Sequence, residues 1–288
     1  MELSQIPVRV IGPGSQLSED DGQVLSYIDM PGDMWRYTPP SMPDPASVVE
    51  LDGARQAMEW LQSALNDYCN EPAPRLADLT ALDAGDRTLV NQILGEGEVA
   101  VTYSGAVTAR TQEAVLAGVW RTVYLDENER IVFDLLEVGD APHLTRLVDA
   151  EHREIRTDSN YVPAEVMNAL PILVELQSHC AEYDVSKAAH VINLTLLPLS
   201  DADLVFLDEQ LGRGPVDTLS RAYGKCQVSS TLIPNVWWVR FYNSMGILIL
   251  NTLEVVDVPA VICAAPEDLR DSATRLEGLL TPYWTEVA

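Results

Sequence analysis

LGEGEV at residues 94–99 returns as LGRGPV at residues 211–216, and this offset of 117 residues decides how the rest of the chain is read. At the same offset Val119 and Trp120 return as Val236 and Trp237. Leu136, Glu137, Val138, Asp140 and Pro142 return as Leu253, Glu254, Val255, Asp257 and Pro259. Leu82 with Leu199 and Asp86 with Asp203 bring the count to 13 identities over the 61 ungapped positions from Leu82 to Pro142. Average residue usage would give about 6% per position, or about four matches, so coincidence is a poor account. The chain carries a duplicated supersecondary unit, two copies of which bury faces that one copy could not.

Each copy has a local reading. Asp83 and Ser200 are helix N-caps, with Asp86 and Asp203 three residues on, where a carboxylate meets free amides and the positive end of the helix dipole. Both helices stop at a glycine, Gly95 and Gly212, placed where a left-handed C-cap residue is wanted. The strands expected next are Glu98 to Tyr103 and Val216 to Ser220, then Ala114 to Leu125 and Val228 to Tyr242, then Ile131 to Val138 and Ile247 to Val256. Polar turns at Asp126 to Arg130 and Asn243 to Gly246 fall at one repeat coordinate.

Outside the copies, Val48 to Tyr68 is a helix with Ala54, Met58, Leu61, Leu65 and Tyr68 on one apolar face. Val162 to Glu182 is a helical segment that Pro171 breaks or restarts, and Val191 to Leu196 is a strand. A last helix starts at Ala265, with Pro266 in its first turn and Glu267 and Asp268 at its positive end. Residues 1–47, rich in proline and glycine, read as an extended arm with one short strand at Val8 to Ile11. The fold class expected is α+β: two related repeats, each a helix followed by a small antiparallel β-meander, with flanking helices. The boundaries are 1–47 for the arm, 48–150 for the first repeat lobe and 151–288 for the second.

Composition narrows the function. With 288 residues and 47% hydrophobic content the chain can bury roughly 75% of its unfolded surface and needs no staple. Its 44 acidic residues against 18 Lys plus Arg give a net charge of −26. That excludes nucleic acid and acidic lipid, which require a cationic stripe, and favours a basic partner. No apolar run is long enough to cross a membrane, and the start, MELSQIPVRVIGPG, lacks a secretion signal, so no membrane insertion is expected. Cys69, Cys180, Cys226 and Cys263 are scattered, which suits a reducing, cytoplasmic location.

Enzyme signatures are absent: no GxGxxG opening a helix, no GxxxxGK[ST], no HExxH and no GxSxG. Gly95-Glu96-Gly97 and Gly212-Arg213-Gly214 follow their helices, where the backbone offers carbonyls, and read as helix stops. None of His143, His152, His179 and His190 has a histidine or cysteine partner at useful helical spacing, so no catalytic residue, metal ligand or cofactor is assigned. Trp120 and Trp237 share a repeat coordinate and read as core. Trp238 has Arg121 as its counterpart in the first copy and, by strand alternation, should point outward or into a crevice. It is a candidate aromatic contact for a partner. The acidic Glu254, Glu267, Asp268 and Asp271 accompany it as candidate partner-binding residues.

LGEGEV, GVWR from Gly118, INLT from Ile192, LPLSDADLVFL from Leu197, LGRGPV and APEDLRDSATRL from Ala265 together resemble the HupH/HyaF hydrogenase expression proteins. IGPGSQ from Ile11 and LPILVEL from Leu170 fit as well, so the likeness runs from Ile11 to Leu276. The resemblance implies a non-catalytic accessory protein in maturation of an uptake [NiFe] hydrogenase. It would bind the small, iron–sulfur subunit precursor with its twin-arginine signal and work beside a thioredoxin-like accessory protein. The alternatives are a metal or iron–sulfur carrier in the same pathway and an enzyme using carboxylates.

Overall fold

Asp83 and Ser200 start their helices in the same way. In the computed structural model, which describes residues 48, 50–147, 153–221 and 224–284, each side chain accepts the backbone N–H three residues on. The donors are Asp86 at 2.8 Å and Asp203 at 3.1 Å, so an otherwise orphaned amide of each helix start is satisfied. Among the described residues the helices are α1 (Asp52–Asn70), α2 (Ala84–Leu94), α3 (Ala169–Ala181), α4 (Asp201–Leu211) and α5 (Pro266–Trp284). The strands are β1 (Arg75–Asp78), β2 (Val99–Ser104), β3 (Thr108–Glu113), β4 (Val119–Leu125), β5 (Ile131–Val138), β6 (His190–Asn193), β7 (Val216–Ser220), β8 (Lys225–Ser230), β9 (Val236–Tyr242) and β10 (Leu248–Val255). The arm at 1–47, with its expected strand at Val8 to Ile11, lies outside the described residues apart from its boundary.

α2 and α4 end at Gly95 (φ 55°, ψ −160°) and Gly212 (φ 63°, ψ 178°). The positive φ is as expected, but ψ is extended instead of left-handed helical, a combination open almost to glycine alone. The chain therefore leaves the helix extended, toward the next strand. A Cβ would lie 2.8 Å from Val115 Cγ1 at Gly95 and 2.7 Å from Leu232 Cδ1 at Gly212, again one repeat coordinate.

The strands form one antiparallel sheet in the order β1-β5-β4-β3-β2-β7-β8-β9-β10-β6. β2 pairs β7 at its centre, with Val101 opposite Thr218, Val99 opposite Ser220 and Tyr103 opposite Val216. Val101 and Thr218 are 117 residues apart, and the flanking pairs exchange partners about them. The junction is thus the self-complementary kind found across a two-fold dimer interface.

Each helix-linked run holds one more strand than the sequence suggests. The stretches expected as single strands, Ala114 to Leu125 and Val228 to Tyr242, begin in or run through a turn, which Gly118 (φ 77°) and Asn235 (φ 60°) make possible. Thr108–Glu113 is a strand that TARTQE, with its single alanine as apolar residue, does not announce. Pro171 does not break α3: it is the third helical residue, where no intrahelical N–H is required.

The helices bury two clusters. Ala54, Met58, Leu61, Leu65 and Tyr68 of α1 pack with Leu89, Val90 and Ile93 of α2, Leu136 and Val138 of β5, and Leu269, Ala273 and Leu276 of α5. The last helix of the chain therefore completes the core of the first copy. A second cluster joins α3 and α4 to Ile192, Trp238, Leu253 and Val255. The opposite pleat of the strands forms a third, with Val99, Val101, Trp120, Val216, Val228 and Trp237 under the segments that carry Leu144 and Ile262. Trp120 Nε1 donates to the Gly139 carbonyl (3.0 Å) and Trp237 Nε1 to those of Val256 and Asp257 (3.1 Å), so both indoles pin the segment that follows their hairpin.

The repeated aspartates do more than cap their own helices. Asp86 accepts the Ala54 amide at the start of α1 (2.8 Å). Asp203, fully buried, accepts those of Met167, Asn168 and Ala169 at the start of α3 (2.7–3.0 Å) and both the backbone and hydroxyl of Ser200. Burial alone would raise the Asp203 carboxyl, but the Ser200 and Asn168 amides with their neighbours outweigh it and hold it well below the usual carboxylate range. Asp203→Ala orphans several buried donors at once and should cost about 3 kcal/mol or more in urea unfolding. Because the folded group is the stronger acid, its stabilisation is present above the ordinary value of 3.8 and lost as pH falls below it. Asp203→Asn should be less stable at pH 7 and show a flatter acid limb.

Candidate functional site

Trp238 is not an exposed platform. It is 5% exposed and packs in the α3–α4 cluster, because the sheet is covered on both faces and successive residues of β9 meet different cores. Its Nε1 donates to Asn251 Oδ1 (2.5 Å) and the Arg240 guanidinium lies 4.4 Å from its ring centroid. In the first copy the same two coordinates hold Arg121 and the buried Asp134, joined at 2.9 and 2.6 Å. An ion pair there is replaced here by an indole–amide bond, so the break in symmetry has a packing cause.

The acidic candidates separate. Glu267, Asp268 and Asp271 are exposed on the first two turns of α5, and Asp271 lies 3.9 Å from Arg275. They form one acidic face, placed where carboxylates also favour the helix dipole. Glu254 is elsewhere, part-buried on β10 with Thr252 Oγ1 donating to it at 3.2 Å, and burial pushes its carboxyl up.

Glu137, at Glu254's coordinate, anchors a line of polar groups that sequence reasoning did not find. It accepts from Thr122 Oγ1, from the His143 amide (3.0 Å) and meets His143 Nδ1 (2.7 Å), while His143 Nε2 meets the Tyr124 hydroxyl (2.8 Å). The second copy has Val239, Ala260 and Phe241 where the first has Thr122, His143 and Tyr124, and the line is absent there. Beside it Arg146 ties the copies together. It donates to Asp140 (3.1 and 2.8 Å) and to Asp257 (2.7 Å), two carboxylates at one repeat coordinate. Burial would raise Asp140, yet the guanidinium holds it below the usual range.

A cavity of about 200 Å³ opens next to this clamp, lined by Arg146, Asp257, Trp237, Ser230 and Thr231 among others. Glu113, whose carboxyl burial pushes up to about 7, does not line it. Burial pushes the thiols of Cys226 and Cys263 up, to about 12 and about 11, the opposite of nucleophile activation.

One cluster has metal-ligand character: Glu175, His179 and His190, whose ligating atoms all lie within 4.8 Å of one another. A search for histidine or cysteine neighbours misses it, since the helical partner of His179 is a glutamate four residues back and the third member arrives from a strand. Among the described residues no helix is long and apolar enough to cross a membrane.

Comparison with known proteins places the chain. The model of the HupH hydrogenase expression protein, C-terminal conserved region, matches twice, over residues 52–159 and 166–283. The hydrogenase expression/formation protein HoxQ of Cupriavidus necator is 44% identical over 282 residues, spanning 97% of this chain and 98% of that protein. The hydrogenase-1 operon protein HyaF of Escherichia coli is 34% identical over 283 residues, 95% of each chain. The solved structure of the hydrogenase expression protein HupH from Thiobacillus denitrificans is 30% identical and covers 40% of this chain and 96% of that one, with a TM-score of 0.38. The chain belongs to the HupH hydrogenase expression protein family, whose members are named for hydrogenase expression and formation.

Two measurements check this geometry. Trp238→Ala should destabilise by roughly 3–5 kcal/mol, as Trp237→Ala should, because both truncate buried rings; chemical denaturation of the two variants compares them directly. Burial pushes the Glu113 carboxyl up from 4.5 to about 7, so its contribution is present below pH 4.5 and lost as pH rises through 7. Glu113→Gln should remove that part of the pH dependence of thermal stability and raise stability above pH 7.

Proposed function

We propose that this chain is a non-enzymatic accessory protein for an uptake [NiFe] hydrogenase that binds the precursor of the small, iron–sulfur subunit. Binding takes place in the cytoplasm, before export, through the precursor's basic twin-arginine segment. The observation that carries this reading is family membership along almost the whole chain, 44% identity over 97% of its length to a protein named for hydrogenase expression and formation. The net charge of −26 supports a basic client, since an acidic surface both attracts a cationic segment and repels acidic competitors.

On this reading the α5 face of Glu267, Asp268 and Asp271 receives the arginine-bearing segment, and a thioredoxin-like accessory protein takes part in the same hand-over. Residues 48–150 and 151–288 act as two related halves of the binding body, with residues 1–47 as a leading arm. Trp238 contributes by holding the second half rigid, since its ring is buried.

Small-subunit precursor with its signal segment should be retained by the immobilised protein, and precursor lacking the segment should not. Equal failure of both would remove the proposal. Replacing Glu267, Asp268 and Asp271 together with lysine should weaken retention by about 10- to 100-fold, with little change in melting temperature, given that each exposed charge contributes at most about 1 kcal/mol. The loss should shrink as salt is raised.

A further inference from the structure

We infer that Glu175, His179 and His190 form a binding site for one divalent late transition-metal ion, bridging the last turns of α3 to the edge strand β6. Glu175 and His179 are four residues apart and so share one face of α3. His190 opens β6, one of the two edge strands of the sheet. Its Nε2 lies 2.8 Å from Glu175 Oε1, and its ring stacks on that of His179 with centroids 3.4 Å apart and planes 11° apart.

Ligand atoms around a tetrahedral ion with bonds of 2.0–2.1 Å stand about 3.3 Å from one another. The three groups already have a ligating atom each within 4.8 Å of the others, so side-chain rotations at this partly exposed site bring them onto one ion. Stacked imidazoles beside a carboxylate give two borderline nitrogen donors and one hard oxygen donor. That set suits zinc, nickel or cobalt and leaves positions open for water or an outside ligand. The site is also not inherited from the scaffold. α1 and α3 start 117 residues apart, and the equivalent places of the first copy hold Met58, Gln62 and Arg75, the last opposite Val138 as His190 is opposite Val255, without an imidazole or carboxylate. All three donors are therefore peculiar to the second copy and meet only through its fold. The inference stands apart from client binding, which uses other residues.

Untagged full-length protein, stripped with chelator, is titrated calorimetrically with Zn²⁺ and separately with Ni²⁺, and the retained ion is counted by elemental analysis after gel filtration. The expected result is about one ion per chain. Retention should fall at least about 100-fold in the His179→Ala/His190→Ala double variant and about 10-fold in Glu175→Gln. Cys180→Ser should bind as the unsubstituted protein does, and circular dichroism should show every variant folded. Failure of the unsubstituted protein to hold either ion, or equal binding by the folded double variant, would overturn the inference.

Discussion

The structure depends on the antiparallel pairing of β2 with β7. With Val101 opposite Thr218, each copy presents the same strand to the other in reversed direction, so the ladder between them is self-complementary about that pair. This removes the edge that each meander would otherwise expose, and the free edges retreat to β1 and β6, strands of four residues each. It also sets both copies' helices on matching pleats, leaving the other pleat to be covered by the segments that Trp120 and Trp237 pin down.

Within that shared frame the copies diverge by compensated changes. Arg121 with Asp134 in one copy becomes Trp238 with Asn251 in the other, a buried charge pair exchanged for a neutral hydrogen bond at the same two coordinates. Glu137 accepts from Thr122 and His143, whereas Glu254 accepts from Thr252, where the first copy has Leu135, and burial pushes its carboxyl up.

Three exposed acidic side chains, Glu267, Asp268 and Asp271, stand together on the first two turns of α5, while burial pushes the thiols of Cys226 and Cys263 up. Family membership supplies the hydrogenase context that these features alone would not.

Several elements were legible in the sequence because their causes are local. Asp83 and Ser200 as N-caps, the glycines ending α2 and α4, and the apolar face of α1 follow from hydrogen bonds and periodicities spanning a few residues. The 117-residue repeat was legible as well, since duplication leaves identities in order. What stayed hidden depends on residues far apart in the chain. That α5 completes the first core, that Asp203 caps α3 across 34 residues or more, and that Trp238 is covered by helices are consequences of packing. The polar line from Glu137 to Tyr124 and the cluster of Glu175, His179 and His190 were invisible for the same reason. Sequence determined where the chain turns, caps and repeats. Tertiary structure alone decided which faces are covered and which side chains meet, because burial is settled by neighbours that no local pattern names.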